Sequence, residues 1–261
     1  MNDSIKVSVI IAAYNVEKYI GECLDDIIGQ THQNFEIIIC DDCSSDMTAS
    51  IIKNYQKKDN RIIYIKNQEN LYAAQSRNNC FNIATGEYYM IQDADDRADP
   101  CRIETLLNTI VGSEYDFVSS GQYLFDEEGV YKKYNPKKEV PTSKDFLSGL
   151  PFCHAATMFK KSCILAVGGY RVSDETRCGQ DYDLFFRLFA AGFIGINIQP
   201  YLYGYRVDRN TIARRKFKYR IDECKIRLKG YKALGLLPIG YLYCVKPIIA
   251  YFVQKLKGNR G

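Results

Sequence analysis

Tyr89-Met90-Ile91-Gln92-Asp93-Ala94-Asp95-Asp96 decides how this chain folds. Residues 88–92 are apolar and aromatic up to Gln92, the composition of a strand covered on both faces. Three carboxylates follow within four residues, where such a strand leaves its sheet. Open α/β sheets bind their ligands at that carboxyl edge. Carboxylates this close repel one another. Hard oxygen donors on a short loop suit Mg2+ or Mn2+, ions that also hold substrate phosphates. The same loop serves equally as a polar cap for a helix starting near Asp99-Pro100. A D-x-D tripeptide alone does not choose between these readings.

The upstream sequence has the same character. Val7–Ala13 is a β-branched run, the mark of a buried parallel strand, and ends in Tyr14-Asn15. The spacing of Tyr19, Ile20, Leu24, Ile27 and Ile28 predicts a helix within 16–30. Phe35–Cys40 is a second strand and ends in Asp41-Asp42. Ser44-Ser45-Asp46 caps a helix running to about Lys57. Ile62–Lys66 is a third strand, and 71–84 a helix stopped at Thr85-Gly86. This alternation predicts an α/β fold, Rossmann-like, with a right-handed, mostly parallel sheet flanked by helices. No G-x-G-x-x-G and no G-x-x-x-x-G-K-[ST] is present. A bound nucleotide would therefore be held by side chains and metal, without a glycine-rich phosphate cradle.

The second half is less regular. Helices are expected at 101–111, 143–150, 162–167 and 181–191. Strands are expected at 116–125, 130–134, 155–159, 195–199 and 201–206. No linker or internal repeat interrupts the chain.

The 261 residues are enough for a substantial core. A net charge of +4 is too mild to call for nucleic acid, and none is expected as a partner. The charge is uneven, however, because 213–260 carries many Lys and Arg against two acids, Asp222 and Glu223. Ten cysteines are scattered. Cys40 and Cys43 form a C-x-x-C with no second pair at zinc spacing, so free thiols in a reducing cytosol are expected. Residues 1–6 do not read as a signal peptide, and a cytoplasmic location is expected.

Parallel strands bring Tyr14-Asn15, Asp41-Asp42 and Asp93–Asp96 to one rim. An aromatic and an acid beside a metal loop suit a nucleoside diphosphate. The ring stacks on the base, the acid accepts from base or ribose, and the metal neutralises the phosphates. Each residue also has a plain role, as a packed aromatic or a helix cap. Asp181, in Gly179-Gln180-Asp181-Tyr182-Asp183, opens an amphipathic helix. It reads either as a cap or as a general base beside an acceptor hydroxyl.

VSVIIAAYN (7–15), FEIIICDDCSSD (35–46), Asn70 with Arg77-Asn78, GEYYMIQDADD (86–96), GGY (168–170) and QDYDLFFRL (180–188) together resemble the family 2 glycosyltransferases of the GT-A fold. The resemblance covers about residues 5–206. It implies an inverting, metal-dependent, hexosyltransferase-type transfer from a nucleotide-sugar, UDP by default. By position it sets Tyr14 against the base and Asp42 on base or ribose. Asp93 and Asp95 form the metal and diphosphate motif with Asp96 beside them, Asp96 too being a candidate for direct contact with the metal, and Arg77 either reaches the donor or makes a structural ion pair. Asp181 takes the place of the catalytic base, and Mn2+ or Mg2+ is the implied cofactor. It divides the chain into a catalytic domain, 1–210, with a nucleotide-binding half (1–100) and an acceptor-side half (101–210), followed by a helical tail, 211–261.

Three positions depart from the family pattern. Cys43 replaces a turn glycine, Gln180 replaces an acid before the base, and Val207-Asp208 follows Tyr205-Arg206 where relatives end in histidine. His154 stands as a lone histidine, either structural or on the acceptor side.

In the tail, 213–232 is basic and helical in pattern, and 236–253 is apolar but broken by Pro238, Lys246 and Pro247. One reading is a hairpin in the membrane interface at the inner face of the plasma membrane. The others are helices packed on the catalytic domain or on a second copy in a homodimer. With the interfacial reading, the acceptor is a glycan or polyprenyl-linked sugar of surface polysaccharide synthesis (capsule, O-antigen or exopolysaccharide). The competing functional reading is a non-catalytic nucleotide-sugar-binding protein of the same fold, against which Asp181 counts.

Overall fold

The computed structural model describes residues 2–207 and 217–258, with side chains through Phe252. Asp208, one of the departures noted above, lies outside the described residues. The first half forms strands β1 (Val7–Ala13), β2 (Phe35–Asp41), β3 (Ile62–Lys66) and β4 (Tyr88–Asp93). Helices α1 (Ile20–Ile28), α2 (Thr48–Gln56) and α3 (Tyr72–Ile83) connect them. The strands lie parallel in the order β3-β2-β1-β4.

Period-two alternation sorts the strand side chains into two layers. Val9, Ile11, Ile37 and Met90 face the layer containing Leu24 and Ile27 of α1. Ile10, Ile38, Tyr89 and Ile91 face the layer containing Cys80 and Phe81 of α3. Both faces are covered, which is why these strands are apolar throughout. Register then sets the site, because Ala13 pairs with Asp41 and Ala12 with Asp93. The acids of β2 and β4 therefore flank the end of β1.

The second half adds β5 (Arg97–Ala98), α4 (Arg102–Ile110), β6 (Phe117–Asp126), β7 (Gly129–Tyr134), β8 (Thr157–Lys160), α5 (Lys161–Ala166), α6 (Gln180–Ala190) and β9 (Gly195–Arg206). The sheet continues β4-β8-β6-β9-β5, with β7 as a hairpin partner of β6. β8 runs antiparallel to β4 and β6, whereas β6 and β9 are parallel.

Three sequence expectations change. Segments 195–199 and 201–206 are one strand, β9. Its pairing with β6 jumps from Ser120–Ile198 to Gly121–Tyr201, because Pro200 has no N–H to give the ladder. The helix expected over 143–150 is a single 3-10 turn, Ser143–Leu147, closed by a Thr142–Asp145 capping box. β5 has no counterpart in the sequence reading, since two residues carry no period; it exists through its pairing with β9.

The tail forms α7 (Phe217–Ala233), α8 (Gly240–Cys244) and α9 (Lys246–Gly258). α7 lies across α6. A Cβ on Gly230 would come within 2.2 Å of the Phe186 ring, so only glycine allows this approach.

Candidate active site

The rim of the sheet is built from three strand ends. After β1, Asn15 turns into the left-handed region at φ 50°. Its N–H donates to Ser44 Oγ (3.0 Å), and its Oδ1 accepts from Ser45 N–H (2.9 Å). This leaves Tyr14 about half exposed on the rim, with its ring available for stacking.

After β2, the two acids part ways. Asp41 is fully buried and committed to the fold, accepting from Ser44 N–H (2.8 Å) and Tyr64 OH (2.9 Å). Asp42 uses only Oδ1, accepting from Asn67 Nδ2 (2.7 Å) and Leu71 N–H (2.8 Å). Its Oδ2 makes no hydrogen bond among the described residues. Cys43 follows at φ 63°, taking the left-handed conformation that a glycine would adopt without strain. The thiols of the C-x-x-C go to different partners, Cys40 to Asn67 Oδ1 and Cys43 to the Gln68 carbonyl.

After β4, three acids meet three environments. Asp93 accepts from Arg77 Nη2 at 2.7 Å. Asp95 has no side-chain hydrogen bond among the described residues. Burial and the neighbouring Asp93 push its carboxyl up to about 6. Asp96 is buried with both oxygens engaged, Oδ1 by Arg206 N–H (2.7 Å) and Oδ2 by the Tyr203 hydroxyl. Burial, then Asp93 and Asp95, raise its carboxyl well above the ordinary range. Arg206 also donates from Nε to the Asp95 carbonyl (2.8 Å) and from Nη2 to Glu22 (2.7 Å).

Among the described residues, no three His, Cys, Asp or Glu side chains are grouped tightly enough to cage a metal ion. The donor set nevertheless fits a hard divalent cation that keeps water and phosphate ligands. Asp95 offers unpartnered carboxylate oxygens, Asp93 lies next to it, and their mutual repulsion would be relieved by positive charge. Asp96 contributes least, since Tyr203 and Arg206 already hold its oxygens.

Opposite the acids stands a network that sequence reading largely missed. Arg77 is buried on α3, and its Nε and Nη1 have no hydrogen-bond partner among the described residues. Its guanidinium lies 5.6 Å from the Tyr170 ring centroid, and Tyr170 OH is 2.6 Å from His154 Nε2. Burial, then Arg77, depress His154 to about 3, so the ring is neutral at physiological pH. The signal for Tyr170 was the GGY motif, whose role is now physical. Asn78 donates to the Tyr170 carbonyl and accepts from its N–H, both at 2.8 Å. A Cβ on Gly169, at φ 68°, would sit 2.6 Å from Asn78 Oδ1. The R-N pair of α3 thus holds Asp93 with one residue and Tyr170 with the next.

Asp181 occupies the first turn of α6, half-buried, and accepts from Tyr182 N–H at 2.9 Å. Burial raises its carboxyl, and the Arg77 charge opposes that rise. Tyr170 feels Arg77, Asp93 and Asp181 together, so these groups converge on one locality. Gln180 Oε1 is buried without a hydrogen-bond partner among the described residues. A cavity of about 420 Å³ opens beside Cys153, lined by Gln122, Lys137, Asp145, Gly149 and Asn197. Its wall touches α6, because Leu150 N–H donates to Tyr182 OH at 3.0 Å.

The sequence model described as Glycosyl transferase family 2 matches residues 8–165. A Bacillus subtilis (strain 168) protein, EpsE, which carries a provisional glycosyltransferase name, is 37% identical over 100% of this chain and 94% of its own. The Escherichia coli UDP-Glc:alpha-D-GlcNAc-diphosphoundecaprenol beta-1,3-glucosyltransferase WfaP is 29% identical over 94% of this chain and 95% of its own. S. aureus TarS 1-349, solved in complex with UDP-GlcNAc, superposes with a TM-score of 0.71 at 18% identity, over 86% of this chain and 66% of that one, just under two thirds. The mannosyltransferase PcManGT from Pyrobaculum calidifontis, in complex with GDP-Man and Mn2+, superposes with a TM-score of 0.66 at 16% identity, over 96% of this chain and 76% of that one. The fold shared with these two structures is GT-A.

Proposed function

The chain belongs to glycosyl transferase family 2, and from that premise we propose an inverting, metal-dependent hexosyl transfer from a UDP-sugar to a lipid-linked glycan. The observation that carries this reading is the convergence on one rim of Tyr14, the free Oδ2 of Asp42, and Asp93 with Asp95, while Arg77 links that rim to the Asp181 side.

In this reading Tyr14 stacks on the base, and Asp42 Oδ2 accepts from base or ribose. Arg77, anchored by Asp93, turns its unpaired N–H groups toward the diphosphate. Asp95 with Asp93 would hold Mn2+ or Mg2+, which supplies neutralising charge for the departing nucleoside diphosphate. Asp181 accepts the proton of the acceptor hydroxyl as that oxygen attacks the anomeric carbon. Burial makes it a stronger base than a solvated aspartate. Attack opposite the leaving diphosphate inverts the anomeric configuration.

A lipid-linked acceptor is supported by the nearness of the 420 Å³ cavity to α6 and by the diphosphoundecaprenol acceptor in the WfaP name. Both favour a step in surface polysaccharide synthesis at the cytoplasmic face of the plasma membrane. The test is UDP release from a panel of UDP-sugars with Mn2+, comparing wild type with Asp181→Asn. The reading expects release by wild type and its loss in a variant that still binds UDP. Folded protein that neither binds nor releases a nucleoside diphosphate would overturn it.

A further inference from the structure

We propose that α8 and α9, with the basic flank of α7, form a docking surface for an anionic lipid bilayer. The outward residues of this segment are Tyr241, Leu242, Val245, Ile249 and Phe252; Leu242 is 75% exposed. The inward side is taken by Gly240 and Cys244. Among the described residues, nine of the nineteen exposed large apolar side chains fall between 217 and 252, so the exposure is concentrated. An apolar groove of about 690 Å³ runs beneath, lined by Leu147, Leu236, Leu237, Ile239 and Leu242, with Lys144 at its edge.

Charge selects the occupant. Residues 213–261 hold thirteen Lys and Arg against two acids, while the rest of the chain holds 22 against 29. Seven of those thirteen cations, against the two acids, fall in the described residues 217–252 alongside the apolar side chains, and a basic, apolar segment on an otherwise acidic chain is complementary to anionic lipid. A second copy of this chain would present the same positive charge and be repelled. No helix among the described residues is long and apolar enough to cross a membrane, so the segment lies on the bilayer.

The surface is also aimed at the active site. Arg227 of α7 donates to Tyr182 OH at 2.8 Å, one residue from Asp181. Segment 144–150 has Leu147 in the apolar groove, and Asp145, Ser148 and Gly149 in the polar cavity. An acceptor with a polar head on an apolar chain would meet both at once. This last point rests on the transferase reading; bilayer binding does not.

The test is co-sedimentation of the full chain with vesicles of phosphatidylcholine alone or mixed with phosphatidylglycerol, across a salt series. The variant is Leu242→Gln/Ile249→Gln, both exposed and replaceable without unfolding. UDP titration and thermal melting verify that it is intact. The expected result is salt-sensitive binding to the phosphatidylglycerol vesicles, weakened by at least about tenfold in the double variant. Wild type left in the supernatant with both vesicles would overturn the proposal, as would undiminished binding by the variant. So would a lipid-free dimer, seen by light scattering, that the double variant dissociates. Wild type that binds UDP but neither kind of vesicle refutes this surface alone; wild type that binds vesicles but no nucleoside diphosphate refutes the transferase reading alone.

Discussion

Arg77 places Nη2 2.7 Å from Asp93 Oδ1, yet its buried Nε and Nη1 find no partner among the described residues. Buried donors are nearly always satisfied, and an exception calls for an explanation. A donor phosphate supplies one. The pair then has two duties, fixing the β4 loop in the free protein and presenting N–H groups to the nucleotide.

Arg77→Ala removes the cation and leaves Asp93 beside two other carboxylates. The fold should lose roughly 2–3 kcal/mol, and UDP affinity should fall by more than tenfold. Arg77→Lys should recover much of the stability but little of the affinity, because one ammonium does not reproduce the guanidinium fork. Urea melts and UDP titrations separate the two effects. Equal recovery of both by lysine would mean the residue acts only as a charge.

Asp95 works against the stability of the free protein. Its carboxyl is raised to about 6, so folding favours its protonated form. The penalty is absent below the ordinary carboxylate range near pH 4, grows as pH rises toward 6, and stays constant above. Asp95→Asn should therefore be more stable than wild type at neutral pH, by roughly 2 kcal/mol after allowing for water at its edge. The difference should vanish near pH 4. Thermal melts over a pH series without metal measure this. A variant that melts lower at neutral pH would show that Asp95 is held by interactions of its own.

Asp181→Asn keeps the shape of the first turn of α6 and removes the proton acceptor. Turnover should fall by about 10² to 10⁴, with UDP affinity within twofold of wild type. Because burial raises the Asp181 carboxyl, the acidic limb of the wild-type rate should lie above the range of a solvated aspartate. Kinetics at fixed UDP-sugar over a pH series test both statements. An unchanged turnover would remove Asp181 from the chemistry.

Asn78→Ala should cost about 2 kcal/mol through loss of the paired bonds to the Tyr170 backbone. Turnover should drop with it, since Tyr170 lies among Arg77, Asp93 and Asp181. Comparing melts with turnover at a temperature where the variant is fully folded distinguishes positioning from unfolding. Full activity of the folded variant would limit Asn78 to scaffolding.

The first half of the chain was legible because its signals are local. Buried parallel strands read as unbroken apolar runs, and the acids stand where the runs stop. The differences between those acids were not legible. In sequence Asp93, Asp95 and Asp96 are alike. Asp96 is claimed by Tyr203 and Arg206, 107 and 110 residues away on β9. Such pairings depend on how β9 folds back along β6, and no periodicity carries that. Arg102 is a second example. It read as the start of an ordinary helix, yet it is fully buried and donates to Gln92 and to the carbonyls of Ile91 and Ala155. Cys43 was legible only as an anomaly, a side chain where a turn favours glycine; the substitution suggests a non-glycine conformation or an altered loop, yet its φ of 63° is the conformation glycine would take.

The central claim is a metal-dependent donor site at the ends of β1, β2 and β4. It is tested most directly by titrating UDP into the full-length protein with and without Mn2+, for wild type and Asp95→Ala. The predicted result is UDP binding that tightens at least about tenfold with Mn2+ in wild type and does not respond to Mn2+ in the variant. Absence of UDP binding by folded wild type, or an equal Mn2+ response in Asp95→Ala, would contradict it.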